Sequence, residues 1–558
     1  MKDEKIKIQL VNDNQEHAVP FGATLFEMID MLGVKTARRP LTAYVDNQVR
    51  ALNYRIFKPH QVEFLDITHF EGMRVYERTL FLVLHKAVAD LFEGCRLSVK
   101  HSVSKGYYCE IIGRPNLFPA DIIAIKRRAD EIIAADMRIV KERMPRAEAE
   151  ALYTSLGYDD KVALMRTRPH LYENVYRIDN MVGYFYGAVA PSTGYIELYD
   201  VRPYDGEGFY VAVPRRTNPD ELEVMVRQEK MFDVFSEYTD WVNIMGVPNV
   251  GSLNSRILQN QMGELIKIGE AFHEKTLARI ADMIAEVNRK HGAKLVLIAG
   301  PSSSGKTTTA KRLGIQLRVL GLHPVLISLD DYFVEREKTP LDENGDYDYE
   351  AFDAIDRATF NDHLLRLYAG DSVDIPRYDF ITGKRQWHPE PLRLDDRSVL
   401  VVEGIHALNP ELTTSIADDK KFKIYASALT SVAMDNLSRI RTTDNRLIRR
   451  IVRDCYTRGS DATATLQRWQ SVRRGEDKHI FPYQEYADAV FNSVLFYEIP
   501  ILKRFVEPML RSVPDTVPEY AEACRLLEFL DNFVSASPEE VPLNSILREF
   551  IGGSSFKY

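Results

Sequence analysis

Hydrophobic and polar positions change period several times along this chain, and each change predicts an element. Lys5-Ile6-Lys7-Ile8-Gln9-Leu10-Val11 alternates with period two and predicts a half-buried strand. Leu25 to Leu32 carries apolar residues at helical spacing and is closed by Gly33, and short strands are expected around Thr42–Val45 and Gln61–Leu65. Strands flanking one helix predict a small α+β module over residues 1–65. Farther on, Leu265, Ile268, Phe272, Leu277, Ile280, Met283 and Ile284 recur every three to five residues, the pattern of a long amphipathic helix. Residues 216–290 are therefore either a helical connector or the first helical layer of the domain after them. From residue 291, apolar runs at 295–299, 325–329, 398–402, 422–426 and 487–491 alternate with helical stretches. Short buried strands alternating with helices predict an α/β domain over 291–558, a parallel sheet covered by helices on both faces.

The first of those runs leads into Gly300-Pro301-Ser302-Ser303-Ser304-Gly305-Lys306-Thr307, which fits G-x-x-x-x-G-K-[ST], and a helical stretch comes next. Strand, glycine-bounded loop and helix start together form the context a phosphate-binding P-loop requires. Gly300, Ser302, Ser303, Ser304, Gly305, Lys306, Thr307 and Thr308 are the expected nucleotide contacts. Backbone amides and the helix N-terminus would hold the phosphates of ATP. Lys306 would reach the β- and γ-phosphates, and the Thr307 hydroxyl would ligate Mg²⁺.

Ligands on open parallel sheets sit at the carboxyl ends of the strands. Asp330 and Asp331 come directly after the second run, and Glu403 ends the third. Phosphoryl transfer needs one acid to accept the proton of the attacking hydroxyl and another to hold Mg²⁺. Asp330 is expected as the base and as a metal neighbour, Glu403 as the Mg²⁺ partner, and Asp331 as a cap of the next turn. The segment 441–474 holds nine arginines, no lysine and three aspartates. Arg446, Arg449, Arg450 and Arg453 fall at i, i+3, i+4 and i+7, one face of a helix, with Arg458 just beyond. Arginine forks neutralise phosphoryl oxygens during transfer, so Arg453 and Arg458 join Lys306 and Asp330 as expected catalytic residues.

Composition narrows the classes. At 558 residues the chain is too long for one ordinary core. A net charge of −9 argues against broad nucleic-acid or membrane-surface binding, and no apolar run approaches a membrane span. The start lacks the apolar core of a signal peptide. Cys95, Cys109, Cys455 and Cys524 form no C-x-x-C pair and fit reduced thiols of a cytoplasmic protein.

Two resemblances add to this. Residues 1–65 resemble the TGS domain, a β-grasp module found at the front of threonyl-tRNA synthetases. Residues 66–215 are similar to the second N-terminal domain of those enzymes, through Arg78–Val88 and through Tyr184-Phe185-Tyr186-Gly187-Ala188-Val189-Ala190-Pro191-Ser192-Thr193-Gly194. The resemblance places Arg78, Leu82, Phe185 and Val189 at the four editing-site positions, where the family has histidines and a cysteine. Apolar side chains neither bind metal nor move protons, so a shared fold is implied without the editing reaction. His85 and His101 lie nearby, and a lone histidine there is more often a structural hydrogen-bonder.

Residues 293–495 resemble the uridine kinase and phosphoribulokinase family. Ser328-Leu329-Asp330-Asp331-Tyr332-Phe333 is similar to the segment carrying its general base, Tyr347-Asp348-Tyr349-Glu350 to its ribose-binding stretch, and Ile375-Pro376-Arg377-Tyr378-Asp379-Phe380 to its base-holding loop. Glu403-Gly404-Ile405 matches its E-G-I, and the arginine-rich helix its lid. The resemblance implies Asp348, Tyr378, Phe380 and Arg450 as acceptor contacts, with Arg385 a further candidate. It also implies an ATP-dependent kinase of a ribonucleoside. The pattern departs at Gly383, where the family has a pyrimidine-reading histidine, at Ser460 in place of an arginine, and at Arg468 in place of a glutamine. The acceptor therefore stays open between a ribonucleoside, a sugar phosphate and another alcohol. A nucleotide-switched, tRNA-associated regulatory protein is the competing reading, and homo-oligomerisation stays open.

Overall fold

The structure, a computed structural model, describes residues 5–204, 207–343, 345–379 and 382–558. Its first unit is a mixed five-stranded sheet in the order Gln15–Pro20, Lys5–Leu10, Gln61–Leu65, Thr42–Val45, Gln48–Arg50. Lys5–Leu10 runs parallel to Gln61–Leu65 and antiparallel to Gln15–Pro20. The helix Leu25–Leu32 opens on a capping box between Thr24 and Glu27 and ends at Gly33 with φ +58°. Both outer strands lie outside the pattern-based expectation: Gln15–Pro20 buries only Val19, and Gln48–Arg50 buries nothing fully.

The next unit is built on the helix Phe70–Leu91, which is buried along most of its length. A four-stranded sheet in the order Asp200–Pro203, Phe209–Ala212, Gly106–Ile112, Arg96–Val103 packs beside it, together with the helix Pro119–Ala134 and a three-stranded sheet. The two N-terminal units share one hydrophobic core, which also takes in Leu437. The loop around Leu437 is tied down further. Val99 N–H donates to the Asn436 carbonyl at 2.7 Å, and Lys161 pairs with Asp435 at 2.9 Å, both side chains buried.

The third unit holds a five-stranded, all-parallel sheet in the order His323–Ser328, Ser398–Glu403, Leu295–Ala299, Lys421–Ser427, Ala489–Asn492. Alternate residues feed opposite faces. Val296, Ile298, Val399, Val401, Phe422 and Ile424 enter one core, while Leu295, Leu297, Leu400 and Val402 enter another. Both faces are covered at the centre of the sheet, which is why 295–299 and 399–402 are continuously apolar. The long helix Met262–His291 lies against the helix Lys306–Val319, with Arg312 paired to Glu270 at 3.2 Å and Glu274 at 2.8 Å. It thus packs as a helical layer of this unit. All five strands point the same way, so Gly300, Asp330 and Glu403 come together at the carboxyl ends of the strands. Among the described residues, no helix is long and apolar enough to cross a membrane.

Candidate active site

The loop between Leu295–Ala299 and the helix Lys306–Val319 has the shape its glycines require. A Cβ on Gly300 would lie 1.9 Å from the Ala426 carbonyl oxygen, so the neighbouring strand admits only glycine there. Gly305 has φ +79° and stands where the helix begins. Ser303 and Ser304 are buried, and neither hydroxyl has a partner among the described residues. Orphaned hydroxyls, a helix N-terminus and the Lys306 ammonium, 3.3 Å from the Pro301 carbonyl, form a donor set that fits the phosphates of ATP.

The acids stand opposite. Thr307 Oγ1 donates to Glu403 Oε1 at 2.9 Å, and Ser328 Oγ donates to the same oxygen at 3.0 Å. Burial raises the Glu403 carboxyl to about 7; the charge of Asp330 pushes it the same way, and Lys306 and the two hydroxyls oppose. Two carboxylates and two hydroxyls in one place are hard oxygen donors, a set that fits Mg²⁺. Asp331 faces elsewhere: its Oδ1 accepts the Tyr378 N–H at 3.1 Å, so it anchors the strand Pro376–Asp379, which pairs with Lys384–Trp387.

The arginine-rich helix is Thr442–Thr457. Its arginines divide into two pairs. Arg446 forms a bidentate pair with Glu476 at 2.5 and 2.6 Å, and Arg449 one with Glu498 at 2.6 and 2.8 Å, all four side chains buried. These two hold the helix to the body of the unit. Arg450 donates to Ser302 Oγ at 2.8 Å, on the phosphate loop itself. Arg453 pairs with Asp454 at 2.7 Å. The nearby Arg453 charge, then burial, lowers the Arg458 guanidinium to about 10, and Asp454 and Asp330 oppose, which locates Arg458 within the field of the acid cluster.

The sequence model of the Phosphoribulokinase / Uridine kinase family matches residues 295–499, the stretch that carries all of these groups. A uridine kinase of Chloroflexus aurantiacus is 30% identical over 200 residues, 35% of this chain and 85% of that protein. The chain belongs to the phosphoribulokinase/uridine kinase family. A uridine kinase of Borrelia garinii is 31% identical over 206 residues, covering 36% of this chain and 85% of its own. One of Schizosaccharomyces pombe is 32% identical over 203 residues but is covered over only 40% of its length. A solved structure described as a possible uridine kinase from Bacillus stearothermophilus aligns with 38% of this chain and 97% of its own, at 19% identity and a TM-score of 0.26. Residues 1–294 lie outside the matched stretch.

Among the residues expected to contact an acceptor, Asp348 accepts the Glu350 N–H at 3.0 Å in a local turn. Glu350, which pattern reasoning passed over, is the acid turned inward. Burial raises its carboxyl to about 7, with Arg450, Glu476, Lys306 and Asp330 all in range, and its Oε2 has no partner among the described residues. Tyr378 is buried and meets Phe333 edge-on at 5.7 Å. Arg385 pairs with Asp356 at 3.0 Å and donates to the carbonyls of Tyr332 and Phe333 at 3.2 and 2.9 Å, which pins its strand to the turn that follows His323–Ser328. Phe380 lies outside the described residues. A Cβ on Gly383 would meet the Arg336 side chain at 2.8 Å, so an arginine from another segment fills that place.

The C-terminal segment reaches the phosphate loop from the other side, and no motif announced it. Thr308 N–H donates to the Glu549 carboxylate at 3.2 Å, and its hydroxyl contacts Glu549 and, at 2.8 Å, the Tyr558 hydroxyl. Ile546 lies over Gly305, and the Lys311 ammonium sits 4.6 Å from the Tyr558 ring centroid. A carboxylate on a first-turn amide occupies the kind of position a phosphate oxygen takes. In the N-terminal half, Leu82, Phe185 and Val189 are buried in the shared core, and Arg78 donates to the Ala188 carbonyl at 2.7 Å.

Proposed function

We propose that this chain is an ATP-dependent kinase that phosphorylates the 5′-hydroxyl of a ribonucleoside, giving the nucleoside monophosphate and ADP. The observation that carries the reading is the meeting of Lys306, Thr307, Asp330 and Glu403 at the carboxyl ends of three adjacent parallel strands. Family membership and the uridine kinase relatives support the coarser part. Asp330 accepts the proton of the acceptor hydroxyl as its oxygen bonds to the γ-phosphorus and the bond to ADP breaks. Lys306, Arg453 and Arg458 offset the charge on the transferring group. Thr307 and Glu403, beside Asp330, would hold Mg²⁺, which would supply positive charge to offset that of the phosphates. Asp348, Tyr378, Phe380, Arg385 and Arg450 remain the proposed acceptor contacts, and Glu350 joins them by its position.

Residues 1–65 and 66–215 are proposed as TGS-like and synthetase-editing-like domains without editing chemistry. The parallel pairing of the first and last strands around one helix supports the former. The buried apolar side chains at the editing positions support the latter.

The test is turnover of the purified chain with Mg-ATP against nucleosides, ribose, sugar phosphates and tRNA. A nucleoside is expected to outrun the rest, and Lys306→Ala to abolish turnover without unfolding the protein. A sugar phosphate outrunning every nucleoside, or undiminished turnover in Lys306→Ala, overturns the reading.

A further inference from the structure

A cavity of about 560 Å³ lies between the N-terminal half and the kinase-family unit. One wall comes from the start of helix Phe70–Leu91, from residues 101–105 and from residues 213–217. The other comes from the end of strand Lys421–Ser427, the first turn of helix Thr442–Thr457 and the helix Ala462–His479. It touches the phosphate loop only at Pro301 and includes neither Asp330 nor Glu403. Its volume falls in the range of small-molecule sites, roughly 300–1,000 Å³.

The charge on its walls is unbalanced. Arg441 has Glu77, and Arg473 has Glu476. Lys105, Arg216 and Arg439 have no carboxylate within ion-pair distance among the described residues. Arg216 donates to the Thr68 carbonyl at 2.8 Å and lies 3.8 Å from the Phe70 ring centroid. Arg439 is half-buried, and its guanidinium is 5.1 Å from the Tyr107 ring centroid. Burying a guanidinium without an anion is costly. The helix Thr442–Thr457 adds its N-terminal end here, because Thr442 and Thr443 line the cavity and the helix opens without a side-chain cap.

A second observation points to a ligand independently. His101 lines the same cavity, is 6% exposed, and has no hydrogen-bond partner on either ring nitrogen among the described residues. Its ring stacks on Phe235 at 3.7 Å between centroids, with Phe232 and Tyr108 beside it. Burial holds the imidazole neutral, so it presents one donor and one acceptor. A buried polar edge with no protein partner calls for one from outside the chain. Phe70, Phe232 and Phe235 give the remaining wall an aromatic surface.

We propose that this interdomain cavity binds a nucleoside monophosphate, its phosphate on Arg439 with Arg216 and Lys105, and its base hydrogen-bonded to His101. Guanidinium forks suit a phosphate, and the neutral imidazole suits a heterocycle edge. The occupant would touch the first turn of the arginine-rich helix and Pro301, so it bears on the phosphate loop from outside the reaction site. The inference does not depend on which acceptor the kinase-family site takes.

The experiment is calorimetric titration of the full chain carrying Lys306→Ala, which weakens binding at the phosphate loop. The probes are AMP, CMP, GMP, UMP and inorganic phosphate. At least one monophosphate is expected to bind. Arg439→Glu should weaken it by tenfold or more, and His101→Phe, which keeps the stack on Phe235, by about tenfold. Inorganic phosphate should be sensitive to Arg439→Glu and indifferent to His101→Phe. Lys105→Glu, on an exposed turn, serves as the charge variant if Arg439→Glu fails to fold. Monophosphate binding unaffected by the charge variant and by His101→Phe would place the ligand outside this cavity, at the acceptor contacts or the phosphate loop, and overturn the proposal. Absence of monophosphate binding at millimolar concentration would also overturn it.

Discussion

Glu476 is the residue at which fold and phosphate loop meet, and Glu476→Gln tests that junction. Its side chain is fully buried. Oε1 accepts from Arg446 at 2.5 Å and from the Ser302 N–H at 3.0 Å; Oε2 accepts from Arg446 at 2.6 Å and from Arg473 at 2.8 Å. The amide keeps the shape but removes the charge and turns one acceptor into a donor facing a guanidinium. Breaking one side of a buried pair costs about 3–5 kcal/mol. The amide oxygen still offers one acceptor, so the lower end is expected here. That is a large part of the 5–15 kcal/mol typical of a domain. Trp469 is the reporter, since the Arg446 guanidinium lies 5.4 Å from its ring centroid. Denaturant unfolding followed by Trp469 fluorescence, with Trp241 and Trp387 replaced by Phe, measures the loss. Arg446→Met and the double variant complete a thermodynamic cycle. The double variant should be less destabilised than the sum of the singles, because no guanidinium is then stranded on that side. A cost for Glu476→Gln below about 1 kcal/mol, or strict additivity, would refute the account, since neither fits a buried charge pair.

Asp330→Asn should lower kcat by on the order of 10²–10⁴ with little change in ATP binding. Asp331→Asn should act on the acceptor KM through the Tyr378 amide, and steady-state kinetics with both substrates varied separates the two. Glu350 and its glutamine variant should differ in stability in a pH-dependent way. The folded-state carboxyl sits near 7 against an ordinary 4.5. The native state therefore holds its proton longer than the unfolded chain, and wild-type stability falls as pH rises between these values. Glu350→Gln lacks that penalty and should gain on wild type from about pH 4.5 to 7 by roughly 3 kcal/mol, then stay level; urea unfolding at stepped pH that shows no growing gap would count against it. Glu549→Gln removes an anion from the Thr308 amide, so the KM for ATP should fall several-fold, and an increase would mean that Glu549 helps to form the nucleotide site. Arg336→Ala should alter kcat/KM ratios among nucleosides more than it alters the KM for ATP, and unchanged ratios would remove Arg336 from base choice.

The elements legible in the sequence were those whose side chains obey one period. The five parallel strands sit within two residues of the apolar runs, and the signal is cleanest at Leu295–Ala299 and Ser398–Glu403, where every residue is buried. Gln15–Pro20 escaped because an edge strand with one buried side chain has no alternation to show. The phosphate loop was legible because its glycines answer to steric demands that only glycine meets: Gly300 against Ala426, and Gly305 at φ +79°. The arginine face shows where spacing falls short. Positions i, i+3, i+4 and i+7 do share a face, but which arginines serve phosphate depends on acids far along the chain. Glu476 and Glu498 claim Arg446 and Arg449 and leave Arg450 on Ser302. Glu350 went unnoticed for a related reason. Local matching favours Asp348, and only the folded turn shows that Asp348 caps its own backbone while the Glu350 carboxyl lies within the field of Arg450 and Lys306.

Acceptor choice turns on the same distinction between a position and the space it occupies. A missing side chain at Gly383 argues for loose base selection only if nothing else enters that volume. The structure fills it: the Arg336 side chain lies over Gly383, and the Arg336 N–H donates to the Gly383 carbonyl at 3.1 Å. With φ +69°, Gly383 also favours glycine on backbone grounds, so the arginine and the bare turn suit each other. Histidine and arginine differ in what they can read. A neutral imidazole offers a donor and an acceptor, whereas a guanidinium offers donors alone. A site built on Arg336 beside the aromatic ring of Tyr378 would hold any base by stacking, and would favour base edges rich in acceptors over those that present an amino group. Discrimination then comes from donors left unpaired by the wrong base, which rejects analogues more strongly than an apolar wall does. The loss of the family's histidine thus points to a changed preference rather than to none, and the order of kcat/KM across uridine, cytidine, adenosine and guanosine distinguishes a re-tuned site from an indifferent one.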